Sequence, residues 1–284
     1  MKNKVVIITG AASGIGLALA RAFAAQGAQL CIADRDEEKL SALRGELEEG
    51  RRKKAEGGRQ KAEGAEVISV VTDVSIEDDC RKMVEACVAR FGRIDVLINN
   101  AGISMRALFK DLELNVIKQL MDVNFWGTVY CTKYALPYLL ASKGSVTGVT
   151  SIAGFKGLPA RTGYSASKFA IRGFLETLRI EHLHDGLHVM IMAPGFTASN
   201  IRFTALTADG SPQGETPRNE GKMMSPDDVA QHMIRGIRKR KNQIVLTLQG
   251  KAVVWINKFF PRFVDRMEYK VMSKEPDSPL RRHQ

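Results

Sequence analysis

Short apolar runs alternate with longer amphipathic stretches along most of the chain. The apolar runs predict strands at residues 4–9, 28–34, 66–72, 94–99, 144–150, 187–193 and 243–248. Between them, apolar residues recur at helical spacing and predict helices at residues 14–26, 36–60, 75–91, 111–142, 163–185 and 226–240. Apolar runs separated by helices are typical of a parallel sheet that is buried on both faces. We therefore predict an α/β fold with a doubly wound, seven-stranded parallel sheet in a single domain.

The first predicted strand leads directly into a glycine-rich turn and a helix. Residues 9–16 read Thr-Gly-Ala-Ala-Ser-Gly-Ile-Gly, with the glycine spacing Gly-x-x-x-Gly-x-Gly. Glycines allow a backbone to approach a pyrophosphate, and the N-terminus of a helix supplies N–H groups and a favourable dipole. A turn without a ligand is the alternative. The position of this turn after the first strand favours a dinucleotide site in a Rossmann-like domain.

A second group of residues carries acid–base chemistry. Tyr164 and Lys168 are four residues apart on a predicted helix, so their side chains lie on one face. A nearby cation lowers the pKa of a phenol from about 10 towards neutrality. Ser151 precedes Tyr164 by thirteen residues and would bind the substrate oxygen that the tyrosine protonates. The alternative is an amphipathic helix with a core tyrosine and a surface lysine.

Together these motifs resemble the classical short-chain dehydrogenase/reductase family. The matching residues, in the family's order, are 9–16, Asp73, Val74, 99–102, Asn124, Ser151, Tyr164, Lys168, Pro194 and Gly195. The resemblance implies reversible hydride transfer between a nicotinamide and a carbonyl or secondary-alcohol carbon of a small-molecule substrate. It also implies a homodimer or homotetramer. A dinucleotide-binding regulator or scaffold without catalysis is the alternative function.

The resemblance assigns catalytic roles to Asn124, Ser151, Tyr164 and Lys168. Tyr164 would be the acid in reduction and the base in oxidation, and Ser151 would stabilise charge on the substrate oxygen. Lys168 would lower the pKa of the tyrosine and hold the nicotinamide ribose. Asn124 would position a water molecule next to Lys168, and its alternative is a buried structural amide.

The resemblance also places the dinucleotide. The expected contacts are Gly10, Ser13, Gly14, Ile15 and Gly16 at the pyrophosphate, Asp34 and Arg35 at the adenosine ribose, Asp73 and Val74 at the adenine, and Asn100, Ala101, Gly102, Tyr164, Lys168, Pro194, Gly195 and Thr197 towards the nicotinamide. Asp34 ends the second predicted strand, where a carboxylate binds ribose hydroxyls and repels a 2′-phosphate. This residue favours NAD, but the guanidinium of Arg35 leaves NADP open.

The substrate is less defined by the sequence. Residues 196–224 form a long segment with glycines and prolines and predict an active-site cover. The side chains expected at the mouth are Met105, Phe155, Leu158, Met192, Phe196 and Phe203, and they favour a hydrophobic, lipid- or steroid-like substrate. Arg106, Arg161 and Arg202 are candidates for binding a carboxylate.

Charge is concentrated near the C-terminus. Residues 235–284 contain thirteen Lys and Arg against four Asp and Glu, in a chain whose net charge is +11. We divide the chain into a dinucleotide-binding and catalytic domain at 1–250 and a basic, amphipathic helical extension at 251–284. The aromatic residues of 251–266 favour packing on the domain or a sister subunit, with contact to an anionic membrane as the alternative. No recognition motif accompanies the charge, so we expect no nucleic-acid partner.

Three further features complete the predictions. The cysteines are scattered and lack metal-ligand spacing, so we expect buried free thiols, no metal and a cytoplasmic location. The chain begins directly with a strand, which leaves no room for a signal peptide. Residues 48–66, with mixed charge and several glycines, predict a mobile, solvated excursion after the second strand.

Overall fold

The computed structural model describes residues 1–56, 66–198, 201–215 and 223–283. Its sheet consists of β1 Val5–Thr9, β2 Gln29–Asp34, β3 Val67–Val71, β4 Val96–Asn99, β5 Ser145–Val149, β6 His188–Ala193 and β7 Gln243–Val245. The strands are parallel and lie in the order β3-β2-β1-β4-β5-β6-β7. This arrangement confirms the predicted doubly wound, seven-stranded fold.

The helices among the described residues flank the sheet. They are α1 Gly14–Ala25, α2 Glu37–Glu56, α3 Glu77–Phe91, α4 Leu114–Leu120, α5 Gly127–Ala141, α6 Thr162–Glu181, α7 Pro226–Arg238, α8 Leu248–Ile256 and α9 Pro261–Ser273. The predicted excursion at 48–66 begins within α2, and its part at 57–65 lies outside the described residues.

Alternate side chains of each strand lie on opposite faces of the sheet, so each face has its own hydrophobic core. In β1, Val6 and Ile8 pack with α1, α2 and α7, whereas Val5 and Ile7 pack with α3, α5 and α6. Every residue of β1 is buried. Burying one such side chain contributes about 1.5–3 kcal/mol, so the central strand is fixed firmly on both faces. Strand order reverses between β1 and β4, and this switch point opens a crevice at the carboxyl edge of the sheet.

The predicted helix at 111–142 is divided into three parts. A π-helical segment, Met121–Trp126, separates α4 from α5. The amide of Asn124 lies in this wide segment and bonds to the backbone of Ile103 and to Ser167. These bonds stabilise a backbone bulge that a hydrophobic pattern does not reveal, because the apolar face continues past it.

The C-terminal extension forms two short helices instead of one amphipathic helix through 251–266. Pro261 begins α9 and separates it from α8 because proline is favoured at the first position of a helix and disfavoured in its interior. Val253, Val264 and Met272 of the extension are buried. The aromatic side chains are not buried with them: Trp255, Phe259 and Phe260 are each 62% exposed and Phe263 is 60% exposed. These aromatic side chains therefore do not pack on their own domain, and their packing on a sister subunit stays a prediction.

Two further properties concern the described residues. None of their helices is long and apolar enough to cross a membrane. The four cysteines, Cys31, Cys80, Cys87 and Cys131, are buried free thiols, as the sequence predicts.

Candidate active site

A cavity of about 670 Å³ lies at the carboxyl edge of the sheet, over the switch point. It extends from Asp34 at the end of β2 to the residues that follow β6. Every residue predicted to contact the dinucleotide lines this cavity except Gly16. The sequence-based choice of residues therefore converges on one elongated site.

The glycines of the turn after β1 are required for different structural reasons. Gly10 and Gly14 adopt positive φ angles of 64° and 50°, which side-chain-bearing residues rarely adopt. A Cβ on Gly10 would lie 2.8 Å from Cα of Ala101. A Cβ on Gly16 would lie 1.9 Å from the carbonyl oxygen of Gly10, so Gly16 supports the turn from behind. Gly16 does not line the cavity, and its contact with a dinucleotide stays a prediction.

Two side chains that follow neighbouring strands hold this turn in place. Nδ2 of Asn100 donates to the carbonyl oxygens of Thr9 (2.9 Å) and Gly10 (3.1 Å). The backbone N–H groups of Asn100 and Ala101 donate to Oγ1 of Thr9, both at 3.1 Å. The ends of β1 and β4 are thereby tied together. Thr9 belongs to the glycine-rich motif but is not among the predicted site residues, and its buried hydroxyl accepts both of these hydrogen bonds.

The N-terminus of α1 completes a cradle suited to a pyrophosphate. Ser13 precedes the helix and its side chain makes no capping hydrogen bond. The first turn of α1 contains no acidic residue that would repel an anion. Backbone N–H groups, the helix dipole and the close approach permitted by Gly10 and Gly14 all fit the phosphates of a dinucleotide.

At the other end of the cavity, the backbone fixes the carboxylate of Asp34. Its Oδ2 accepts from the backbone N–H of Ala12 at 2.9 Å, and its Oδ1 accepts from that of Asp36 at 3.1 Å. A carboxylate with two oxygens has further lone pairs for ribose hydroxyls. Arg35 and Lys39 also line this end, and Lys39 is paired with Asp36.

The residues predicted for the adenine end form a fixed turn. Oδ1 of Asp73 accepts from the backbone N–H and the hydroxyl of Ser75, at 2.9 and 2.6 Å. Val74 packs so closely on α5 that a Cβ on Gly127 would lie 2.8 Å from it. Both Asp73 and Val74 line the cavity, as does Thr72, which sequence reasoning did not single out.

Tyr164, Lys168 and Ser151 line the same part of the cavity. Tyr164 and Lys168 lie on one face of α6, with Nζ of Lys168 5.7 Å from the centroid of the tyrosine ring. Nζ is buried and donates to the carbonyl oxygen of Val149 at 3.0 Å. Ser151 follows β5 and its hydroxyl accepts from the N–H of Ala153 at 3.2 Å. The structure therefore brings the predicted trio together.

Burial disfavours the charged forms of Tyr164 and Lys168 and shifts the pKa of each accordingly. Burial raises the pKa of Tyr164, while the neighbouring Ser151 hydroxyl and the charge of Arg161 act in the opposite direction. Burial lowers the pKa of Lys168 from 10.5 to about 8. Burial therefore outweighs the Ser151 hydroxyl and the Arg161 charge at the phenol, and the lowering of the tyrosine pKa by Lys168 stays a prediction.

Asn124 is completely buried and lies behind the cavity wall. Its Nδ2 donates to the carbonyl oxygen of Ile103 (3.0 Å) and to the hydroxyl of Ser167 (2.9 Å), and its Oδ1 accepts from the N–H of Ile103 (2.8 Å). A Cβ on Gly102 would lie 2.9 Å from Oδ1 of Asn124 and 3.2 Å from Nζ of Lys168. Gly102 thus brings the loop after β4 close to both side chains. The role of Asn124 in positioning a water molecule stays a prediction.

The substrate end differs in part from the predicted mouth. Leu158 and Phe196 line the cavity, and Phe203 is exposed. Met105, Phe155 and Met192 are buried in the hydrophobic clusters and do not line it, so their prediction as mouth residues is wrong. The wall contains these further apolar residues: Ile103, Val123, Ile201, Leu206 and Pro212.

Part of the predicted cover forms this wall. Leu206 forms isolated bridges with Met105 and Pro212, so the described segment 201–215 is anchored to the loop after β4. The parts of the predicted cover at 199–200 and 216–222 lie outside the described residues.

Arginines also lie at the substrate end. Arg161 and Arg202 line the cavity, and Arg106 lies beside it. The buried carboxylate of Glu275, which follows α9, is 3.3 Å from Nη2 of Arg161 and 3.7 Å from Nε of Arg106. The extension therefore supplies one carboxylate that lies near two of the three arginines. Sequence reasoning missed Glu275, because nothing near it in the chain marks it as a site residue.

The described parts of the chain contain no group of three or more His, Cys, Asp or Glu side chains that could hold a metal ion.

Comparison with known proteins identifies the family of this chain. A model of the short chain dehydrogenase family matches residues 4–208. A dehydrogenase/reductase SDR family member 7B from Xenopus laevis is 35% identical over 247 residues, covering 87% of this chain and 74% of the relative. An 11-beta-hydroxysteroid dehydrogenase-like 4A protein from Arabidopsis thaliana is 34% identical over 265 residues, covering 93% and 83% of the two chains.

Solved structures show the same fold with dinucleotides bound. A short chain dehydrogenase/reductase from Burkholderia phymatum in complex with NAD superposes with a TM-score of 0.78 at 25% identity, covering 92% of this chain and 95% of that one. An alcohol dehydrogenase from the archaeon Thermococcus sibiricus, complexed with 5-hydroxy-NADP, gives a TM-score of 0.71 at 25% identity, covering 86% and 96%. Fold, cavity and sequence agree, and the chain belongs to the short-chain dehydrogenase family of NAD(P)-dependent oxidoreductases.

Proposed function

We propose that this oxidoreductase interconverts an apolar ketone and its secondary alcohol, with Tyr164 as the proton-transferring residue. One observation carries the proposal: the hydroxyl-bearing side chains of Tyr164 and Ser151 line a cavity whose substrate end has a largely apolar wall. An apolar wall excludes water and favours a substrate of matching surface. The bound nicotinamide would supply or accept the hydride.

Each side chain of the trio has a distinct role in this proposal. Tyr164 gives its proton to the substrate oxygen during reduction and takes it back during oxidation. The raised pKa keeps this proton on the phenol near neutral pH, as an acid in ketone reduction requires. Ser151 donates a hydrogen bond to the same oxygen and stabilises the charge that develops on it. Lys168 binds the nicotinamide ribose, and Asn124 keeps the loop after β4 beside Lys168.

A substrate panel tests the proposal. Steroid and long-chain ketones, sugars and their alcohols would be assayed by nicotinamide absorbance with both dinucleotides in both redox forms. We expect kcat/KM for the best apolar ketone to exceed that for the best sugar by about tenfold or more, because polar hydroxyls would be left unpaired against the apolar wall. A sugar as the best substrate would contradict the proposal.

The same panel resolves the contribution of the arginines. A long-chain keto acid and its methyl ester differ only in charge, so their kcat/KM ratio measures whether Arg161 and Arg202 bind an anionic end. A ratio above about ten in favour of the acid would assign them that role.

We further propose that NAD is preferred over NADP, because the carboxylate of Asp34 would repel a 2′-phosphate. Replacing Asp34 by Asn keeps an acceptor for the N–H of Ala12 but removes the charge. We expect the kcat/KM ratio of NAD to NADP to fall by about tenfold or more. Glu38→Ala, which removes an exposed charge nearby on α2, serves as the control. An unchanged ratio in Asp34→Asn, or a wild-type preference for NADP, would refute this assignment.

The implied homodimer or homotetramer also remains a proposal. Exposed aromatic residues on the π-helical segment, α5 and α6, namely Trp126, Tyr138 and Phe169, support a subunit interface along these helices. Sedimentation velocity would measure the assembly directly, and a monomer over the full concentration range would exclude it.

A further inference from the structure

We infer that the C-terminal extension docks on an anionic lipid surface through a patch that we term the aromatic–basic surface. Its aromatic members are more than half exposed, although aromatic side chains usually dominate cores. Its members are Trp255, Phe259, Phe260, Phe263, Lys251, Lys258, Arg262 and Arg266.

The aromatic–basic surface is positively charged. Its four cations are exposed or partly exposed and form no ion pair within the described parts of the chain. The nearest acids in the sequence do not offset this charge: Asp265 is paired with Lys156, and Glu268, just after Arg266, is buried. A surface that combines aromatic rings with unbalanced cations complements lipid headgroups that carry negative charge, with the rings at the level of the headgroups.

A second copy of this chain is a less suitable occupant. In a two-fold symmetric contact the same patch meets itself, so the cations of one aromatic–basic surface would face the equally cationic surface of the other copy. Like charges brought together across an interface oppose association. A bilayer that contains anionic lipid instead attracts these cations while it accepts the aromatic rings.

The extension also lies beside the catalytic cavity. The side chain of Thr247, immediately before α8, would be 2.7 Å from a Cβ on Gly195, a residue of the cavity wall. Glu275 contacts Arg161 at the substrate end, and Lys156 follows the turn that contains Ser151. Docking through this extension would therefore hold the substrate end close to a reservoir of apolar molecules.

Vesicle sedimentation tests the inference with the full-length chain. We expect binding to vesicles of phosphatidylcholine with phosphatidylserine, weak binding to phosphatidylcholine alone, and loss of binding at high salt. The double variants Phe259→Ser with Phe260→Ser, and Lys258→Glu with Arg262→Glu, should each lower the partition coefficient about tenfold or more. Their mutated side chains are solvent-exposed, so the fold is preserved.

Matched controls come from the opposite edge of the sheet. Ile180→Ser with Leu183→Ser removes exposed apolar groups at the end of α6, and Arg238→Glu with Lys239→Glu reverses charge at the end of α7. Both should bind vesicles like the wild type. A Trp126→Phe variant leaves Trp255 as the remaining tryptophan, whose emission should shift to the blue on binding.

Three results would overturn the inference. They are equal binding to vesicles with and without phosphatidylserine, unchanged binding in the Phe259 and Phe260 double variant, and an emission of Trp255 that vesicles do not shift. A lower sedimentation coefficient of that double variant without lipid would instead assign the surface to a second copy.

Discussion

Replacing Tyr164 by phenylalanine is expected to reduce kcat by about a hundredfold to ten-thousandfold, the usual contribution of a positioned general acid. The ring would keep its packing against the cluster that contains Met105, Val116 and Leu120, and only the hydroxyl would be lost. Because the substitution leaves the glycine-rich turn around Gly10 unchanged, the dissociation constant of the dinucleotide should change by less than about threefold. Stopped-flow hydride transfer and dinucleotide fluorescence titration measure the two effects separately.

Tyr134 offers a matched control for this variant. Its hydroxyl donates to Oε1 of Glu77 at 2.7 Å, on the surface between α5 and α3. Tyr134→Phe should leave kcat within about twofold of the wild type, since it removes a surface hydrogen bond. Substantial turnover in Tyr164→Phe would refute the role of this phenol, and loss of dinucleotide binding would indicate a structural role instead.

Replacing Lys168 by methionine is expected to abolish turnover and to stabilise the fold. The pKa of Lys168 is lowered from 10.5 to about 8 by burial, so the folded chain holds this proton less tightly than the unfolded chain. A pKa shift of this size lowers the free energy of unfolding by roughly 3 kcal/mol below about pH 8, where the group is charged in both the folded and the unfolded chain. Removing the buried ammonium should therefore raise the free energy of unfolding. Part of this gain is offset because the variant loses the hydrogen bond to Val149. We expect a net gain of about 1–2 kcal/mol in the free energy of unfolding at pH 7.

The difference in stability between Lys168→Met and the wild type should depend on pH. The unfolded chain binds more protons than the folded chain between pH 8 and pH 10.5, so the wild type recovers the cost as the pH rises through this range. The advantage of Lys168→Met in urea denaturation should therefore shrink towards pH 10.5. Lys133→Met, at an exposed position on α5, should change stability little at either pH. A destabilised Lys168→Met variant with a constant deficit across this range would show that the buried ammonium carries no such cost.

The sequence predicted the sheet well because buried parallel strands are apolar throughout and leave a pattern that needs no tertiary knowledge. The turn after β1 was equally predictable, since Gly10 and Gly14 have the positive φ angles that such a turn requires. Gly16 illustrates the limit of that reasoning. Its type was expected, but its contact with the carbonyl oxygen of Gly10 instead of the cavity depends on tertiary packing.

The remaining differences come from contacts between distant segments. Met105 and Met192 have apolar side chains of the kind that line a substrate pocket, but their neighbours bury them in the core. Glu275 joins Arg161 across more than a hundred residues, and no local pattern predicts this pairing. The shift in the pKa of Tyr164 depends on how much desolvation the finished fold imposes, a quantity that i,i+4 spacing does not contain.

A crystal structure with dinucleotide and a ketone analogue tests the central claim most directly, through the distances from Oη of Tyr164 to the ligand. We predict a hydrogen bond to the carbonyl oxygen at about 2.6–3.2 Å, with the carbonyl carbon about 3–3.5 Å from C4 of the nicotinamide. A dinucleotide bound outside the cradle of Gly10 and Gly14, or a phenol that does not reach the carbonyl oxygen, would contradict the account.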